Sequence, residues 1–167
     1  MGWPLSNREA VAGQILAFAD TGLRNSLHLN RSEILQEFVR LHSCIKVVAP
    51  VTRNGKPRDT VSLTSKALWC CYPQDVPIFD ANAVRALGVI SRICGFAPTL
   101  DRSEHSAYAD FIDVWLQLYW RIEAEIRRED LVDCPYKIRV LDRLLWYLGK
   151  PGFFDRGTGV DSGRLSE

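Results

Sequence analysis

Apolar residues recur at helical spacing along most of the chain, and six segments carry the pattern. The first opens on Ser6-Asn7-Arg8-Glu9, a capping box in which the Ser oxygen meets an orphan N–H and the Glu reaches back. Val11, Ile15 and Phe18 follow on one face, and Gly22 is the stop. A second helix starts near Asn30, with Glu33 three residues later, and buries Ile34, Phe38 and Leu41 beside Leu35 and Val39. Residues 45–49 are apolar and β-branched and predict a short extended piece ended by Pro50, with a loop over 51–59. A third helix covers 62–72, capped by Ser62 or Thr60 and closed by Pro73.

The fourth helix begins at Asp80, turns Val84, Leu87, Ile90 and Cys94 inward and ends at Gly95. A long helix over 103–128 presents Tyr108, Phe111, Ile112, Trp115, Leu118, Tyr119, Ile122 and Ile126. The last, over 136–148, carries Ile138, Leu141, Leu144 and Leu145 inside, with Gly149 after it. Residues 150–167 are rich in Gly, Asp, Ser and Arg and predict a loose tail, with Phe153 and Phe154 as candidates to tuck in. Six helical patterns and almost no alternating strand pattern predict an all-α fold, a compact bundle of about six helices in one domain over 1–149.

Composition narrows the class. The chain has 167 residues, 47% hydrophobic and 25% charged, enough for one real core and too apolar for disorder. Charges interrupt the apolar runs well short of the roughly 20 residues a membrane span needs. The first residues lack the pattern of a secretory signal, so a soluble, cytoplasmic domain without membrane contact is expected. Cys44, Cys70, Cys71, Cys94 and Cys134 form no CxxC pair, and His28, His42 and His105 have no zinc-finger spacing. Reduced, mostly buried thiols are expected, with no metal and no cofactor.

A net charge of +1 gives no global support for nucleic-acid binding. Locally the balance changes. Residues 46–66 hold Lys46, Arg53, Lys56, Arg58 and Lys66 against Asp59 alone, with Gly55 and Pro57 among them. The pattern predicts an exposed loop, either simply solvated or placed to contact phosphate. The stretch Arg139 to Trp146 reads mainly as core helix with one cationic side.

The chemistry concentrates in residues 61–85. A short helix carries Lys66-Ala67 in its first turns, a Pro-bounded turn follows, and Val76-Pro77-Ile78-Phe79-Asp80 leads into the next helix. This order of parts resembles the catalytic segment of the helix–hairpin–helix DNA glycosylases, in particular the 8-oxoguanine DNA glycosylase branch. There a Lys-Ala pair begins one helix and a Val-Pro-x-Asp segment caps the next. The resemblance covers about 26 of the 167 residues. Ser62-Leu63-Thr64 stands where the family has hairpin glycines, and the segment before Asp80 is one residue longer.

The resemblance implies that Lys66 is a Schiff-base nucleophile and Asp80 the catalytic aspartate. The activity implied is removal of a damaged or modified base from duplex DNA, with AP-lyase activity if the lysine attacks. Small relatives of this branch occur among bacterial proteins of phage defence, so a modified phage base is one substrate it suggests. Asp80 at a helix N-terminus stays ionised and stabilises positive charge on the sugar. The base is flipped into an apolar pocket, for which Trp69, Tyr72 and Phe79 are the nearby candidates. Arg53, Lys56, Arg58, Asn82 and Arg85 are candidates for the DNA backbone.

Each residue also has a structural reading: Asp80 as an N-cap, Lys66 as a surface lysine, the aromatics as core, Asn82 and Arg85 as a solvated helix turn. The competing functions are a catalytically inactive helical domain of the same ancestry that binds nucleic acid or protein, and an interaction protein with no nucleic-acid role. The catalytic reading predicts that Lys66 and Asp80 converge in a concave site with a positive rim. The inactive one predicts that they point apart.

Overall fold

Capping chemistry and stop signals set the ends of the helices. In a computed structural model that describes residues 5–21, 27–28, 30–49, 60–98, 100, 106–126 and 136–153, six α-helices follow one another: α1 (Leu5–Asp20), α2 (Arg31–Val48), α3 (Val61–Cys71), α4 (Ala81–Cys94), α5 (Ser106–Ile122) and α6 (Lys137–Leu148). A single 3₁₀ turn, Glu123–Glu125, follows α5, and the described residues contain no strand. The all-α fold is therefore as the periodicity implies. Asn30 caps α2 by accepting from the N–H groups of Ser32 and Glu33. Gly95 closes α4 in the left-handed region at φ 67°, where a residue without Cβ is unstrained. Pro73 stands just past α3, where it cannot continue the helix.

Several local expectations are corrected. The apolar run at 45–49 is not extended; α2 continues through Ile45, Lys46, Val47 and Val48. Ile45 is fully buried one turn beyond Leu41, so tertiary packing overrides the β propensity. Helix α1 is already under way at Leu5, one residue before the expected cap at Ser6. Thr60 takes the N-cap position of α3 without a side-chain cap bond. Helix α5 stops at Ile122 instead of running on to 128, tightening into the 3₁₀ turn. Val39, Leu144 and Cys94 are exposed, and so is Cys70; Cys44 and Cys71 are half-buried, so none of these four thiols sits fully in the core. Gly22, Cys134, Phe154 and the loop carrying Arg53, Lys56 and Arg58 lie outside the described residues.

The apolar faces meet around α5. Tyr108, Phe111, Ile112 and Trp115 are buried almost completely and share one core with Ile34, Leu41 and Ile45 of α2, whose Phe38 ring stacks on Tyr108. Each such side chain contributes about 1.5–3 kcal/mol by leaving water. Helix α1 packs on α2, α2 on α3 and α5, and α4 on α5 and most extensively on α6. Gly149, just past α6, lies tightly against the start of α4. A Cβ there would overlap the Asn82 carbonyl and stand 2.8 Å from the Asn82 Cα. Gly149 has φ −80°, open to any residue, so close approach, not backbone freedom, requires glycine here.

Candidate active site

Between α3 and α4 the chain 76–80 is extended, and its polar groups are tied to three different helices. Val76 and Pro77 are buried, and proline brings no N–H that would need a partner there. The Ile78 N–H donates to Asp142 Oδ2 of α6 at 3.2 Å. The Phe79 N–H donates to Ser65 Oγ of α3 at 3.2 Å, and its ring packs edge-on to Tyr108 and Phe111 of α5. Asp80 caps α4: its Oδ1 accepts from the N–H groups of Asn82 and Ala83, both at 2.9 Å. Asp80 Oδ2 makes no hydrogen bond among the described residues.

Asp80 opens onto a cavity of about 270 Å³ that it lines with Ile78, Ala83, Arg139, Asp142, Arg143 and Trp146. Two carboxylates, two guanidinium groups and an indole thus surround one small space. Asp142 is the most constrained of them. It is nearly buried, and besides Ile78 it accepts from Trp115 Nε1 and Arg139 Nη1, each at 3.2 Å. Burial pushes its carboxyl up to about 7, against the opposing pull of Arg139 and of the Ile78 and Trp115 donors. Arg139 in turn lies flat over the Trp69 ring, 4.5 Å from its centroid.

The expected site residues among the described ones separate into four groups. Asp80 faces the cavity. Lys66 is exposed on α3 and is not among the residues that line it. Tyr72 belongs to the buried core, Phe79 forms part of the packing under the 76–80 segment, and Trp69 supports Arg139 with its own buried indole N–H unpaired. Asn82 and Arg85 turn toward the end of α6. Arg85 Nη1 donates to the Gly149 carbonyl, placing a cation on the C-terminal carbonyls of that helix. With its amide turned so that oxygen and nitrogen both find partners, Asn82 donates to the same carbonyl at 3.2 Å and accepts from Trp146 Nε1 at 3.3 Å.

Asp142, Arg139, Arg143 and Trp146 are site residues that the sequence motif did not reveal. A signal for Asp142 exists: it falls on the stripe Ile138, Leu141, Leu145, which is the buried face of α6. An acid in an apolar stripe must find donors, and these are what tie it to Ile78 and Trp115. A second cavity, about 330 Å³, lies between α2, α3 and α5 with Phe38, Val61 and Tyr108 in its wall. No carboxylate is among its described lining residues, and it holds none of the expected site residues.

The fold and site define an all-helical protein with a small, mixed-charge cavity at the N-terminus of one helix. No family model, curated protein or solved structure matches the chain.

Proposed function

We propose that the chain is a DNA glycosylase that excises a damaged or modified base by hydrolysis, with Asp80 as the catalytic carboxylate. The observation that carries this reading is the division of labour within Asp80. One oxygen is immobilised by two backbone N–H groups, and the other makes no hydrogen bond among the described residues and faces a cavity that it shares with Ile78, Ala83, Arg139, Asp142, Arg143 and Trp146. The cavity volume, about 270 Å³, falls just below the roughly 300–1,000 Å³ found for ligand sites. That suits a single flat ring system better than an extended ligand.

In this mechanism the bond between C1′ and the base nitrogen breaks, the electron pair leaves with the base, and positive charge develops on the sugar. Oδ2 stabilises that charge and takes the proton of the water that attacks C1′. The products are the free base and an abasic sugar. A preoriented carboxylate needs no reorganisation as charge develops, which is what the N-cap supplies. Arg139 and Arg143 suit the phosphates on either side of the flipped nucleotide. Lys66, exposed and outside the cavity, has no role in this hydrolytic step.

A second reading has one observation in its favour. The N-cap alone accounts for Asp80, and Lys66 does not line its cavity; this fits a catalytically inactive helical domain that binds nucleic acid or protein. Incubation with duplexes carrying a panel of modified bases, followed by alkali, separates the readings. Alkali-labile breaks that persist in Lys66→Ala and vanish in Asp80→Asn are the expected result. A borohydride-trapped adduct lost in Lys66→Ala would replace hydrolysis with a Schiff-base mechanism. Neither signal on any base would leave the inactive domain.

A further inference from the structure

Helix α6 and the turn after it carry an exposed row of rings that the packing of the core does not use. Trp146, Tyr147 and Phe153 are all exposed. They are linked in order. Lys150 Nζ lies 4.1 Å from the Trp146 ring and 5.3 Å from the Tyr147 ring, and Tyr147 meets Phe153 edge-to-face at 5.5 Å. Trp146 is held in place through its indole N–H by Asn82, so the row has a fixed inner end, and that end lines the cavity beside Asp80.

The charge on this element is one-sided. Residues 136–153 contain Lys137, Arg139, Arg143 and Lys150 and one acid, Asp142; Arg139 engages the buried Asp142 and Lys137 pairs with Glu123 Oε1 at 3.1 Å, so Lys150 is the cation set among the rings. A ligand for the row must therefore offer flat apolar rings and negative charge together, repeated at intervals. An unpaired nucleic-acid strand has that chemistry: its bases stack on aromatic rings and its phosphates meet the cations between them. In a duplex the bases are already stacked on one another and show no face to the row.

We propose that the ridge Trp146–Lys150–Tyr147–Phe153 binds single-stranded DNA, guiding the unpaired strand next to the target nucleotide toward the cavity. The inference deepens the glycosylase reading and rests on it for the place where the strand ends. It makes unpaired or locally opened DNA the preferred substrate form. Stacking contributes without reading sequence, because every base has a ring face. Sequence tolerance is thus expected along the ridge, with base selectivity left to the cavity.

The test is binding of unmodified DNA, with no excision step. Fluorescence anisotropy compares a labelled oligothymidylate with a duplex of the same length at low and high salt. Single strand is expected to bind more tightly than duplex. Tyr147→Ala and Phe153→Ala, both at exposed positions, are each expected to weaken it about five-fold or more. Lys150→Ala is expected to flatten the dependence of log K on log salt by about 0.7, one phosphate contact on a single strand. Trp120→Ala, at an exposed ring on α5, is expected to leave binding unchanged.

The inference is overturned by duplex binding as tight as single strand, by ring variants that bind like the wild type, or by no binding at low salt. Base excision without single-strand preference sinks the ridge and spares Asp80. Single-strand binding without excision spares the ridge and sinks the glycosylase reading.

Discussion

Replacing Asp142 by Asn tests whether the cavity wall holds a carboxyl that burial keeps from ionising freely. Its value rises from an ordinary 3.8 to about 7 on folding, which corresponds to at most about 4 kcal/mol. The sign follows from which state holds the proton. From about pH 4 to about pH 7 the folded protein keeps a proton that the unfolded chain has released, so this group's contribution to stability falls as pH rises. It levels off above the folded value. Asn carries no charge at any pH and removes that dependence. It also turns an NH₂ toward a donor, either Trp115 Nε1 or the Ile78 and Arg139 pair, at a cost of about 1–3 kcal/mol. The variant is thus expected to be less stable than the wild type at pH 5. The gap is expected to close, or reverse, by up to about 3 kcal/mol as pH rises from 5 to 7.5. Urea denaturation of both proteins across this range measures the gap, and subtraction cancels the titration of the other acids. Parallel stability curves from pH 4 to 8 would refute the argument and show that Arg139 and the Ile78 and Trp115 N–H donors hold Asp142 ionised throughout.

Two further substitutions probe the framework around the cavity. Gly149→Ala meets the backbone of Asn82 at a position where φ itself is unobjectionable. It is expected to cost about 2 kcal/mol or more by prying α4 from α6; an unchanged melting temperature would mean that the helices part easily. Ser65→Ala leaves the Phe79 N–H without its Oγ acceptor. A loss of about 1–3 kcal/mol is expected, together with faster hydrogen exchange at the Phe79 amide, and unaltered exchange there would show that the 76–80 segment is held by packing alone.

Helix existence was legible wherever a stripe was long and its ends were marked. The Asn30 cap, the Asp80 cap and the Gly95 stop each use local chemistry that a few neighbouring residues specify. What escaped depended on partners distant in the chain. Ile45 is helical because the core of the bundle buries it, although its neighbours favour extension. Leu144 and Asp142 exchange places relative to the expected stripe on α6. One helical step separates Leu144 from buried Leu145, whereas Asp142 lies on the buried face near Trp115 and the Ile78 N–H, neither of which is near it in sequence. The site follows the same division. Asp80 was visible from its motif. The arginines and indole opposite it come from a helix some 60 residues later, brought there by the α4–α6 contact at Gly149.

The two roles of Asp80 can be separated because they use different oxygens. Asn at this position keeps an acceptor for the Asn82 and Ala83 N–H groups but has no carboxylate. Ala removes both. On the glycosylase reading, Asp80→Asn is expected to stay within a few tenths of a kcal/mol of wild-type stability and to lose excision. Asp80→Ala is expected to lose excision and, in addition, about 1 kcal/mol from the uncapped helix. If instead the aspartate serves only as a cap, function should follow stability: Asn would retain whatever DNA binding the chain has, and Ala would reduce it only as far as α4 frays. Thermal denaturation and the alkali-cleavage assay run on the same three proteins distinguish these patterns. Excision surviving in Asp80→Asn would leave the carboxylate without a chemical role and return the residue to helix capping.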